Sequence, residues 1–233
     1  MGNLQYQAST NTWKFAENQY DAIGSENSNI SNIYVGWIDL FGWGTAGYND
    51  KYPYMTSTDY EDYRSFYDWG KYNIISNGGN EMGLWRTLSY SEWLYILHGR
   101  DYASNLRGVA SVNSVNGLIL LPDDCILPNS ISFQGGVVNG LYGAEYYSSH
   151  NKYTLEEWKI LEHYGAIFLP AAGDRSGVTI HNVGSRGIYW TSSPADVHLA
   201  ETMEFSSGHV ESSDNLRGNK ANGLSVRLVQ DVE

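Results

Sequence analysis

The 233-residue chain carries 14 Lys+Arg against 26 Asp+Glu, a formal net charge of −12 with histidine neutral. That balance excludes a general nucleic-acid binder, because neutralising phosphates needs a clustered cationic face and the few basic residues here are scattered. Although 42% of residues are hydrophobic, no apolar run approaches the roughly 20 residues of a spanning helix, so membrane insertion is not expected either.

The first residues predict a β-hairpin: Leu4-Gln5-Tyr6-Gln7-Ala8 alternates apolar and polar, Ser9-Thr10-Asn11-Thr12 supplies turn residues, and Trp13-Lys14-Phe15-Ala16 alternates again. The N-terminus has no basic stretch leading into an apolar one, so no export signal is expected in this sequence. From Asp21 to Asn80 the chain is rich in Gly, Asn, Ser and Tyr, with short apolar words such as Trp37-Ile38-Asp39-Leu40-Phe41. No helical period survives there, and long ordered loops are predicted.

Two segments carry helix signals. Ser89-Tyr90-Ser91-Glu92-Trp93 and Thr154-Leu155-Glu156-Glu157-Trp158 both fit the capping box, in which a hydroxyl caps the first turn and a Glu three positions on reaches back. Trp93, Ile96 and Leu97 follow at helical spacing in the first, Trp158 and Leu161 in the second, and Gly99 and Gly165 stop them. Strands are expected at Gly117 to Leu121, Ala166 to Leu169, Gly187 to Trp190, Thr202 to Phe205 and Leu224 to Val229. Helices followed by a run of short strands predict an α+β fold with an antiparallel sheet, two amphipathic helices and long ordered loops. No composition break marks a linker, so residues 1–233 read as a single domain.

Motifs for chemistry are sparse. There is no phosphate-binding Gly-rich loop, and Gly173-Asp174-Arg175-Ser176-Gly177 places its Ser one position late for a nucleophile elbow. Cys125 stands alone and cannot form an internal disulfide or a thiolate metal cluster. His209-Val210-Glu211 puts two donors on one strand face, which is two ligands and not a metal site. The composition, with 25 Gly, 19 Tyr and 8 Trp beside 17% charged residues, instead suits loops that recognise ligands through large rigid side chains. Tyrosine is frequent up to Tyr189 and absent from Trp190 to Glu233, where apolar positions alternate with assorted polar ones. Asn215 to Asn222 reads as an exposed loop within that stretch.

Leu84-Trp85-Arg86-Thr87-Leu88-Ser89-Tyr90-Ser91-Glu92-Trp93-Leu94-Tyr95 resembles the Arg-Leu-Pro-Thr-x-x-Glu-Trp-Glu-Tyr signature of formylglycine-generating-enzyme-like domains, and Ser225-Val226-Arg227-Leu228-Val229 resembles their closing Gly-Phe-Arg-Leu-Val. The opening Gly2 to Gln7 through Gly42-Trp43-Gly44, together with Asn182 to Ser185 and Tyr189 to Ser193, is similar to surface proteins of gut bacteria, including variable proteins diversified by retroelements. The resemblance covers nearly the whole chain and implies a C-type-lectin-like fold. The enzyme branch needs a cysteine pair for copper, which Cys125 alone cannot supply, and the calcium words of the sugar-binding branch are missing. What the resemblance leaves is a binding platform that needs no cofactor and is not an enzyme.

In diversified members, adenine-directed mutagenesis rewrites C-terminal codons while the scaffold stays fixed. By resemblance, the variable region here spans about residues 173–224. Its ligand-binding positions are Asp174, His181, Arg186, Ile188, Tyr189, Ala195, Asp196, His198, Glu201, Glu204, His209, Glu211, Arg217, Asn219 and Lys220, with Arg186, Tyr189 and Arg217 as anchors. Trp190, Met203, Phe205, Val226 and Leu228 are expected to be scaffold. The implied function is an adhesin-type display domain at a pilus or cell-surface tip, outside the cell. It would bind a protein or glycan on a host or microbial surface, with other pilus subunits as neighbours. The alternatives are a phage receptor-binding protein, a purely structural fibre subunit, and a metal-assisted enzyme using His181, His198 or His209.

Overall fold

The computed structural model describes residues 1–57, 59–137, 141–211 and 216–231. The chain opens on the expected hairpin, β1 (Leu4–Gln7) against β2 (Thr12–Phe15), with Leu4 opposite Phe15 and Tyr6 opposite Trp13. Asn11 closes it at φ +50°, a left-handed conformation that Asn tolerates better than most residues, and its side chain accepts a hydrogen bond from the Tyr6 hydroxyl at 3.0 Å.

Between Asp21 and Asn80 the described backbone forms isolated bridges, short 3-10 turns and one short helix, α1 (Trp69–Tyr72), as the missing periodicity predicts. These loops are ordered because side-chain donors replace the absent ladder. The indole N–H groups of Trp43, Trp69 and Trp190 donate to the carbonyls of Thr191, Thr45 and Phe41 at 2.9, 3.1 and 2.6 Å. The wholly buried Arg175 guanidinium donates to the carbonyls of Gly177, Met55 and Leu40. Buried Asn27 accepts from the backbone N–H groups of Asp39 and Leu40 and donates to the Asp39 carboxylate at 2.7 Å.

After β3 (Arg86–Thr87), both capping boxes form. Ser89 and Glu92 cap α2 (Tyr90–Leu94), which widens into a π turn over Tyr95–Gly99, so the predicted helix spans Tyr90 to Gly99 but changes its winding halfway. The hairpin of β4 (Arg107–Val112) and β5 (Val115–Leu120) follows. β6 (Lys152–Tyr153) precedes α3 (Leu155–His163), which Thr154 and Glu157 cap and after which Gly165 lies at φ +86°. β7 (Ile167–Pro170) completes a sheet of order β6-β4-β5-β7. Within it β6 runs parallel to β4, a departure from the all-antiparallel expectation.

A second hairpin, β8 (Asp174–Ser176) and β9 (Thr179–His181), leads to the longest strands, β10 (Arg186–Pro194) and β11 (Leu199–Ser206). β12 (His209–Glu211) and β13 (Arg217–Asn219) both pair with β11, and β14 (Leu228–Val229) pairs back with β3. The segment expected to be an exposed loop is therefore partly a strand, with Asn215 outside the described residues. The expected strand at Leu224 to Val229 is reduced to β14, preceded by single bridges from Leu224 to Phe41 and from Ser225 to Tyr189. The architecture is α+β, dominated by small sheets.

Strand β10 is covered on both faces. Ile188 and Trp190 join a hydrophobic cluster with Leu4, Trp13, Phe41 and Trp69, while Tyr189 joins another with Trp93, Leu169, Met203 and Phe205. Gly187 allows this, since a Cβ there would lie 2.1 Å from the Phe205 ring. The expected scaffold residues Trp190, Met203, Phe205, Val226 and Leu228 are all buried.

Asp39 gives a pH signature. It is wholly buried, and burial pushes its carboxyl up to about 6 against the hydrogen bonds from Asn27 and Ile23 that favour the anion. A folded-state value above the unfolded one means the folded chain holds the proton more tightly, so this contribution to stability is full below pH 3.8 and fades as pH rises through about 6. The change is about 3 kcal/mol at 1.36 kcal/mol per pH unit. Denaturant unfolding of wild type and Asp39→Asn at pH 4 and pH 7 should show the penalty of the substitution shrinking by about that amount at the higher pH. A penalty independent of pH would show that Asp39 does not titrate in this way.

Candidate functional site

The polar positions of the C-terminal segment gather along the edges of the β10–β11 sheet. At one end, Arg186 reaches across to Glu204 and its guanidinium donates to that carboxylate. The neighbouring strand adds His209, whose Nε2 lies 3.0 Å from Glu211 Oε2. Register explains the grouping, because Arg186 opposes Ser206, Ser206 opposes His209, and Glu204 opposes Glu211. Arg186, Glu204 and His209, with Tyr142, Ser185 and Leu216, line a cleft of about 380 Å³.

At the other end, β13 brings Arg217 opposite Glu201, with Arg217 Nε 3.3 Å from Glu201 Oε1. Asp196 turns the β10–β11 connection by accepting the backbone N–H groups of His198 and Leu199, each at 2.7 Å, and those bonds hold its carboxyl below the usual range. His198 is exposed beside it, while Ala195 and Asn219 are partly covered. Asp174 and His181 sit apart, directly opposite one another on the β8–β9 hairpin, and Asp174 accepts from Asn182 at 2.7 Å. Backbone bridges from Gly173 to Gly187 and from Arg175 to Gly223 fix that hairpin against the sheet.

Three assigned positions are corrected by burial. Tyr189, expected as an anchor, is 0% exposed. Its hydroxyl donates to the Pro170 carbonyl at 2.8 Å and accepts from Asn3 at 3.1 Å, so the ring is core. Ile188, on the other side of the same strand, is core as well. Lys220 is buried, with its ammonium donating to the Asp196 carbonyl at 2.7 Å and lying 4.4 Å from the centre of the Trp43 ring; desolvation lowers its pKa. The reason is common to Ile188 and Tyr189: a strand packed on both faces buries both parities, so apolar–polar alternation does not separate inside from outside there. Glu201 and Glu204 are also largely buried, held at the edge by their arginines.

The structure thus brings Arg186, Glu204, His209 and Glu211 into one group and Ala195, Asp196, His198, Glu201, Arg217 and Asn219 into another, with Asp174 and His181 on a separate hairpin. The β4–β5 hairpin carried a readable sign, Asn113-Ser114 between two Val-containing runs; both residues adopt positive φ, the geometry of a tight hairpin turn. No group of three or more His, Cys, Asp or Glu side chains able to hold a metal forms among the described residues. No helix among them is long and apolar enough to cross a membrane. Comparison with protein-family models, with curated proteins and with solved structures gives no match for this chain.

Core and surface positions should separate in stability. Tyr189→Phe leaves the buried Asn3 amide without its acceptor, while the Pro170 carbonyl keeps the Ala172 N–H, an expected loss of about 1–3 kcal/mol. His181→Ala, at an exposed hairpin position, should fall within about 0.5 kcal/mol of wild type. Chemical denaturation measures both, and equal effects would reverse the assignment of Tyr189 to the core.

Proposed function

We propose that this chain is a non-enzymatic ligand-binding display domain of C-type-lectin-like fold, exposed at a bacterial surface or pilus tip, with a C-terminal surface diversified by a retroelement. The observation that carries this reading is the division within one short stretch of chain. Trp190, Met203, Phe205, Val226 and Leu228 are buried, while His181, Arg186, Asp196, His198 and Arg217 project from the strands and turns those residues anchor. A rigid scaffold presenting polar side chains at its edges is what ligand recognition requires, and it needs no reacting group. The resemblance in Leu84 to Tyr95 and Ser225 to Val229 supports the fold assignment, since these are the segments in which α2 receives its capping box and β14 pairs with β3.

The partner is a protein or glycan on another surface. Arg186 and Arg217 are tied to carboxylates, so the face offers directed hydrogen bonds more than net charge, which favours specificity over strong electrostatic attraction.

Sequencing the gene from Gly173 onward across a natural population tests the reading. Substitutions should concentrate at adenine-containing codons of a template repeat and fall at positions such as His181, Arg186, His198 and Arg217, sparing Tyr189, Trp190, Met203 and Phe205. An invariant region would overturn diversification.

A further inference from the structure

Away from the Arg186 and Arg217 groups, α1, β3 and α2 border a cleft of about 410 Å³ that reaches Ser192 near the end of β10. At about 30 Å³ for each water-sized share, it has room for roughly 14 such units, enough for one sugar ring and part of a second. One wall is aromatic. Tyr72, 39% exposed, packs at 4.7 Å on Tyr48 and edge-on at 5.5 Å on Tyr67, whose hydroxyl accepts from Asn49. Phe66, on the same wall, is fixed between Trp43 at 4.8 Å and Trp69 at 5.5 Å. These rings are ordered before any ligand arrives, which lowers the entropic cost of binding.

The rest of the lining is polar. Thr87 and Ser192 contribute hydroxyl-bearing side chains, while the Ser89 hydroxyl is engaged with Glu92 in the cap of α2. Thr87 is 2% exposed, and its hydroxyl has no hydrogen-bond partner among the described residues, a buried polar group for which the protein alone provides no explanation. The charge of Arg86 is already paired. Arg86 donates to Glu92 at 2.7 and 3.0 Å and to Asp231 at 2.7 and 3.0 Å, while Asp68 accepts the backbone N–H groups of Gly70 and Thr87. Against Arg86 and Lys71 stand the three carboxylates Asp68, Glu92 and Asp231, so the local field does not favour an anion. An exposed aromatic ring beside hydroxyls and ion-paired side chains suits a molecule with one C–H face and a rim of neutral hydroxyl groups.

The geometry points to this cleft as a binding site for a neutral hexose unit of a glycan, stacked on Tyr72 and hydrogen-bonded on the Thr87 and Ser192 side. Of its residues only Ser192 lies within residues 173–224, and it is not one of the display positions, so the site serves as a constant subsite beside the proposed diversified face.

The test is a glycan array probed with the full chain, followed by calorimetric titration with the free neutral saccharide that gives the strongest array signal. Saturable binding of a neutral glycan is expected. Tyr72→Ala should weaken it at least tenfold, and Ser192→Phe, which replaces a contacting hydroxyl with bulk that fills the cleft, should abolish it. Melting curves confirm that each variant is folded, and if Tyr72→Ala is not, Ser192→Phe alone decides. The paired Arg186→Gln/Glu204→Gln variant and His198→Ala should leave the affinity within twofold. An array silent for neutral glycans, or lit only by sialylated or sulfated ones, overturns the proposal, as does binding indifferent to the folded cleft variants. Binding lost through the C-terminal variants alone would also overturn the cleft while leaving the display reading intact. Conversely, an invariant C-terminal region would remove diversification without touching the cleft.

Discussion

The structure depends on satisfying backbone carbonyls in a long stretch with almost no ladder of its own. Buried carbonyls must find donors, and between Asp21 and Asn80 the described backbone supplies few through sheets. Indole N–H groups and one buried guanidinium meet that need, with Trp43, Trp190 and Arg175 each bonding a residue more than a hundred positions away. Such side chains do two things at once: their bodies fill the core and their polar tips pin a carbonyl. The loop region is thereby joined to β10 and the β8–β9 hairpin, and the rigidity of the C-terminal edges rests on it. Arg175 is surrounded by the carbonyl dipoles of Met55, Gly177 and Leu40, so its burial is compensated by hydrogen bonds to backbone.

Local features were legible in the sequence and long-range ones less so. The hairpin at Leu4 to Phe15 and both capping boxes follow from residues within a few positions of one another, and the backbone adopts them. The π turn at Tyr95–Gly99 was not legible, because the periodicity of Trp93, Ile96 and Leu97 fits either winding. Strand β6 is two residues long and exists only through its partner β4, so no window of sequence could carry it, whereas β14 keeps of the expected Leu224 to Val229 strand only the two residues that pair with β3. At the candidate site, exposed polar residues were found, whereas Tyr189, Ile188 and Lys220 were misplaced. Tyr189 and Ile188 were placed by resemblance, on a strand whose two faces are both covered. For Lys220 the ammonium finds a carbonyl and an aromatic ring that only the tertiary fold brings near.

The ion pairs at the edges constrain how such a surface could change. Arg186 is substantially exposed while its partner Glu204 is only 9% exposed, so the two residues are not equivalent. Replacing Glu204 with a neutral residue leaves an arginine that can turn to water at little cost, because half-exposed pairs contribute little to stability. Replacing Arg186 alone leaves a largely buried carboxylate without its cation, and removing one partner of a buried pair is far more damaging than removing both. Exposed positions such as His181 carry no such condition. The polar edges of the sheet therefore contain two kinds of position: free ones, where any compatible side chain leaves the scaffold undisturbed, and conditional ones, where the outer residue can change freely only after the inner one has become neutral. Glu204 sits on the same strand as Met203 and Phe205, and this is how the core reaches the surface: a position one residue from the hydrophobic cluster inherits its low exposure, and with it a limit on which charges the edge can present.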